Sequence, residues 1–174
     1  MKENFDYCLK TILKHEGGFV DHPEDPGGAT NKGITKKTYD NYMRKEMTVD
    51  ELKSIPDDHV NGIYSKMYWS PVKGNDLPHG VDLSAFDWAV NSGPRRACKE
   101  IQKIIGVQAD GVIGPITLES IKHYSPISLL KELSEERESF YRGLPTFETF
   151  GRGWLRRNEE TYQLAMKILN SSSE

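Results

Sequence analysis

Between Phe19 and Thr35 the composition turns abruptly to Pro, Gly, Asp, Asn and Thr, and that stretch constrains how everything around it can fold. Proline fixes its own φ and removes a donor, while glycine opens backbone conformations that other residues avoid. No helix can run through such a segment. Asp25-Pro26-Gly27-Gly28 marks a tight turn, so a loop or a small β-hairpin is expected there. The preceding segment is different. Phe5, Cys8, Leu9, Ile12 and Leu13 recur at the i, i+3, i+4, i+7, i+8 spacing of an amphipathic helix, with Asn4 as its N-cap and Gly17-Gly18 as its stop.

After Thr35 the helical period returns. Thr35 can cap a helix carrying Tyr39, Tyr42 and Met43, and Thr48 with Glu51 has the spacing of a capping box. Pro56 opens a helix whose apolar stripe is Val60, Ile63, Tyr64 and Met67. A loop from Ser70 to Gly80 precedes an apolar helix with Leu83, Phe86, Ala89 and Val90, ending near Gly93. Pro94 suits the first turn of the next helix, and Gly114-Pro115 starts a short one. Two longer helices are expected at about 126–142 and 147–169, the second turning Phe150, Trp154, Tyr162, Ala165 and Leu169 inward. The fold class read from this pattern is mainly α (α+β), with one small N-terminal β-hairpin. Residues 1–93 and 94–174 form its two parts, the second packed against the first.

Composition narrows the function. The 174 residues suffice for a proper core, and a net charge of −3 speaks against a nucleic-acid partner. No run approaches the roughly 18 apolar residues of an integral membrane span. The N-terminus carries no signal peptide, so synthesis in the cytoplasm and assisted release to any outside substrate are expected. Cys8 and Cys98 sit in apolar helical patterns and are expected as buried free thiols. His15-Glu16 does not continue into HExxH, which excludes the usual zinc peptidase pattern.

Glu16 stands out. Extending the stripe Phe5, Leu9, Leu13 places it near the apolar face, in the final turn and against the negative end of the helix dipole. Both circumstances disfavour a charged carboxylate. A carboxyl that holds its proton near neutral pH is what a glycosidase uses to protonate a leaving oxygen. Asp21, Glu24 and Asp25 come next in the chain, and one of them could hold a second carboxylate across a cleft. Acids beside Pro-Gly also commonly just decorate a solvated turn.

The run from Glu16 to Thr35, EGGFVDHPEDPGGATNKGIT, resembles the signature of glycoside hydrolase family 108, together with Tyr64-Ser65-Lys66-Met67-Tyr68-Trp69 and Phe86-Asp87-Trp88-Ala89-Val90-Asn91-Ser92-Gly93. Asp110-Gly111-Val112-Ile113-Gly114-Pro115 is similar to the helical peptidoglycan-binding region found behind that catalytic part. The resemblance implies a lysozyme-like fold and a phage-endolysin type of muramidase. It implies cleavage between N-acetylmuramic acid and N-acetylglucosamine in peptidoglycan, without a cofactor. It makes Glu16 the catalytic acid. The related lysozymes of T-even phages place an Asp and then a Thr after that Glu, which points to Asp25 and Thr30, with Asp21 as the rival carboxylate.

Asp21, Thr35, Tyr64, Tyr68, Trp69, Asp87 and Asn91 are the candidate substrate contacts. Aromatic rings offer apolar faces with polar handles, although Tyr64 also fits the helix core. Asp87 and Asn91, four apart amid apolar neighbours, need partners, which could be glycan groups or a neighbouring loop. Arg95-Arg96 and Arg156-Arg157 read as solvated basic pairs. The hairpin and the first helix are expected to form one wall of a cleft, in a chain acting as a monomer. The competing functions are a lytic transglycosylase, which needs only the one Glu, and a non-catalytic wall-binding protein.

Overall fold

The computed structural model describes residues 2–24 and 27–172; Asp25 lies outside the described residues. Among these, nine α-helices accompany a single two-stranded antiparallel sheet, the mainly helical architecture with one hairpin that the pattern predicts and the lysozyme-like fold that the resemblance implies. Helix α1 (Lys2–Glu16) starts ahead of Asn4. Asn4 is therefore not its cap, and its side-chain amide instead donates to the Asp82 carboxylate. Gly17, at φ 71°, ends the helix in a conformation that only glycine adopts readily.

The hairpin comprises β1 (Thr30–Asn31) and β2 (Ile34–Thr35), paired Thr30 to Thr35 and Asn31 to Ile34. Its turn residues, Lys32 and Gly33, have φ of 50° and 74°, the doubly left-handed turn that matches strand twist in two-residue hairpins. Val20 extends the ladder through a bridge to Thr30. The buried Asn31 amide donates to the carbonyls of Leu52 and Lys53, satisfying the open end of the next short helix while fixing the hairpin to it.

Thr35 caps α2 (Lys36–Met43) through the Thr38 N–H, and Thr48 with Glu51 forms the full capping box of α3 (Val49–Lys53). Helix α4 (Asp57–Tyr64) continues directly into a π-helical turn, Ser65–Trp69. Such a turn rotates the downstream residues about the helix axis. The loop at 70–80 contains one 3-10 turn, Gly74–Asp76.

Helix α5 (Val81–Ser92) is buried along Val81–Ala89, as expected of a helix surrounded by others. It packs against α6 (Pro94–Ile104), α8 (Pro126–Arg142) and α9 (Phe147–Ser171). The short α7 (Pro115–Lys122) completes the set. Phe5, Trp69 and Phe86 form an aromatic knot with centroids 5.2–5.8 Å apart. Both cysteines are free and buried. Among the described residues no helix is long and apolar enough to cross a membrane. One expectation fails in the last helix: Phe150 is 55% exposed instead of turned inward.

Candidate active site

Glu16 is the last residue of α1, and its side chain is 20% exposed. Three elements converge on it. From the hairpin comes Gly33: a Cβ there would lie 2.9 Å from Glu16 Oε2 and 2.6 Å from the Tyr64 hydroxyl. The turn therefore comes this close only because position 33 has no side chain. From α4 comes Tyr64, whose hydroxyl donates to the Lys32 carbonyl at 2.7 Å and pins the turn. From α9 comes Arg157, whose Nη1 donates to Glu16 Oε1 at 2.9 Å.

Arg157 is itself held. Its Nε and Nη2 donate to Asp87 Oδ1 at 3.1 and 2.9 Å. Asp87 Oδ2 lies 2.7 Å from Arg137 Nη2 and accepts from Thr161 at 3.2 Å. Asp87 and Arg137 are each 1% exposed. Burial alone would raise the Asp87 pKa, but the guanidinium groups of Arg137 and Arg157 outweigh it and hold the carboxyl below its ordinary value. For Arg157, burial works against the charge; Asp87 and then Glu16 overcome it and push its pKa above the usual guanidinium value. The chain Glu16–Arg157–Asp87–Arg137 thus alternates in sign from the half-buried site into the interior.

Tyr64 and Tyr68 pack with ring centroids 5.6 Å apart and planes tilted by 48°, and both phenol pKa values are raised, by burial first and by the Glu16 charge second. The π-helical turn brings Tyr68 alongside Tyr64, and Tyr68 remains partly exposed. Tyr64 and Tyr68 therefore flank Glu16.

The other residues expected at the site fall in several places. Thr30 is half-buried in β1, bonded through its backbone to Val20. Thr35 spends its hydroxyl on the α2 cap. Asp21 is exposed. Trp69 lies in the core with its indole N–H on Asn75 at 3.0 Å. Asp87 is enclosed by its cations and thus holds Arg157 instead of facing a glycan. Asn91 Oδ1 accepts from the Tyr141 hydroxyl and from Ser92.

Arg137 and Arg157 are the residues that sequence reading missed. A usable signal existed for Arg157, because it shares the inner face of α9 with Trp154, Thr161 and Ala165 at helical spacing.

Comparison with known proteins gives the chain a family. Residues 9–93 match the family described as Glycosyl hydrolase 108, and residues 96–159 match that described as Predicted Peptidoglycan domain. The chain is similar to the solved structure of SagA from Brucella abortus, at 39% identity over 100% of both chains and a TM-score of 0.88. No curated protein matches. Glu16 and Asp87 lie in the first matched segment, Arg137 and Arg157 in the second. The charge network joins the two.

Proposed function

Because the chain belongs to the glycosyl hydrolase 108 family and is a peptidoglycan-active hydrolase, we propose that it is an N-acetylmuramidase of the endolysin kind, with Glu16 as its general acid. The observation that carries this reading is the convergence of the hairpin turn, Tyr64 and Arg157 on one half-buried carboxyl. Glu16 donates its proton to the oxygen of the β-1,4 bond between N-acetylmuramic acid and N-acetylglucosamine as an oxocarbenium-like transition state develops. Oε1 is engaged by Arg157, which leaves Oε2, on the Gly33 side, for the transfer.

Once the proton has left, Arg157 faces a full carboxylate at 2.9 Å and stabilises it without moving. Arg157 is thus a positioning residue and a ready counter-ion. Asp25, which precedes the hairpin in the sequence, is the second carboxylate in this reading; with Thr30 it orients the attacking water or supports the sugar cation. Tyr68, which is partly exposed, flanks the bound glycan, while the buried Tyr64 holds the hairpin turn. The enzyme works as a monomer on the wall after assisted release from the cytoplasm.

The test is product analysis on purified sacculi. Wild-type chain should release fragments with reducing ends, and Glu16→Gln should fold normally and release none. Hydrolysis at the wild-type rate by Glu16→Gln would remove the proposal, and 1,6-anhydro ends from the wild type would reassign the chain as a transglycosylase.

A further inference from the structure

Phe150 is a large apolar ring, 55% exposed, on a helix that had every opportunity to bury it. It is not isolated. Its centroid lies 5.7 Å from the half-buried Trp154, which in turn stacks on Tyr141 at 5.2 Å with planes 27° apart. Tyr141 cannot shift easily, because it is 1% exposed and its hydroxyl accepts from Arg137 Nε at 2.8 Å and donates to Asn91. Arg137 is the same guanidinium that pairs with Asp87 and, through it, sets Arg157 against Glu16. One buried cation therefore orients both the candidate acid's partner and the support of an exposed aromatic surface.

Helix geometry relates the two. Phe150 precedes Arg157 by seven residues, which is about 10 Å along the axis and about 20° around it. The rings thus lie on the face of α9 that meets Glu16, two turns away, a distance on the order of a disaccharide. An exposed ring backed by a second ring that is held in place offers a flat apolar face, which complements the C–H face of a pyranose. Both rings fall in the segment matching the peptidoglycan domain.

We propose that Phe150 and Trp154 form a stacking platform for the glycan strand, a subsite along α9 from Arg157 that holds sugars beyond the bond being cut. The identity of the ligand rests on the muramidase reading; the existence of the platform does not require that Glu16 be the acid.

Binding without turnover tests it, using the full chain carrying Glu16→Gln and a soluble GlcNAc–MurNAc tetrasaccharide. Of the three tryptophans, Trp69 and Trp88 are 3% and 1% exposed, so a direct emission change on binding reports Trp154. The tetrasaccharide should shift that emission, and adding Trp154→Phe should abolish the shift. Phe150→Ala should weaken tetrasaccharide affinity by about fivefold, the size of one lost ring contact, and reduce co-sedimentation with sacculi. Phe150→Tyr should restore both.

Unaltered affinity in Phe150→Ala, or an emission shift that survives Trp154→Phe, overturns the platform. So does loss of binding to anionic phospholipid vesicles by Phe150→Ala with glycan affinity intact, which would make the patch a membrane contact. If Glu16→Gln itself still cleaves sacculi, the acid assignment fails while the tetrasaccharide result stands.

Discussion

Replacing Asp87 by Asn perturbs the network at the point where its charges are most deeply buried. The side-chain volume is kept, but one oxygen becomes an amide that points donors at a guanidinium. Asp87 accepts from Arg157 at 2.9 and 3.1 Å and pairs with Arg137 at 2.7 Å. Arg137 has no carboxylate partner besides Asp87 among the described residues, and its Nη1 has no acceptor there, so its charge depends on Asp87. Removing one partner of a buried pair leaves an uncompensated ion and costs about 4 kcal/mol. Against a stability on the order of 10 kcal/mol, that is a large fraction.

Urea unfolding reads the loss directly. With a slope of about 2 kcal/mol per molar, the midpoint should fall by roughly 2 M. The wild-type carboxyl is held below its ordinary pKa. Its contribution is therefore present above the ordinary carboxylate range and fades as pH drops through the depressed native value, so the gap between variant and wild type should narrow in acid. Adding Arg137→Met to Asp87→Asn should cost less than the sum of the two single losses, because the second change removes the orphaned cation. A loss under about 1 kcal/mol at neutral pH, or strict additivity in the double variant, would refute the account of Asp87 as the network's keystone.

Asp82 behaves in the opposite sense. Burial pushes its carboxyl up to about 6, against the pull of its backbone hydrogen bonds. Its stabilising contribution is full below its unfolded value and is lost as pH rises through about 6, a swing of up to about 3 kcal/mol. Asp82→Asn, with the Asn4 amide free to turn over, should flatten thermal stability between about pH 4 and pH 7; an unchanged pH profile counts against this. Gly33→Ala forces a left-handed alanine onto the Tyr64 hydroxyl and Glu16 Oε2, so a loss of at least about 1 kcal/mol and a sharp fall in sacculus hydrolysis should appear together. Asp25→Asn should lower turnover strongly and the exposed Asp21→Asn only mildly; steady-state rates in the reverse order would hand the role to Asp21.

Much of the fold was legible because its punctuation is local. Gly17 stops α1, Thr35 and Thr48 cap their helices, and Pro94, Pro115 and Pro126 open theirs. Those signals act within a turn of the residue that carries them. The site was legible only on its N-terminal side. Glu16 and the hairpin are neighbours in sequence, whereas Arg157 reaches Glu16 across 141 residues. Reading Arg156-Arg157 as a solvated pair treated both alike, yet Arg156 is exposed and Arg157 points inward. Asp87 needed a partner, as its apolar neighbours implied, but the partners were two cations on other helices and no sugar. Trp69 and Phe150 exchanged their expected places, since helical period alone does not say which aromatic face a neighbouring element will cover.

The route by which Arg157 reaches Glu16 has a consequence for how the enzyme comes into being. A ribosome emits Glu16 well before α9, so an unfinished chain has the candidate acid but lacks the cation that pairs with it. In the proposed reading, catalytic competence then waits for α9. For the same reason residues 9–93, cut out and grafted elsewhere, would bring along a buried aspartate whose counter-charges had been left behind.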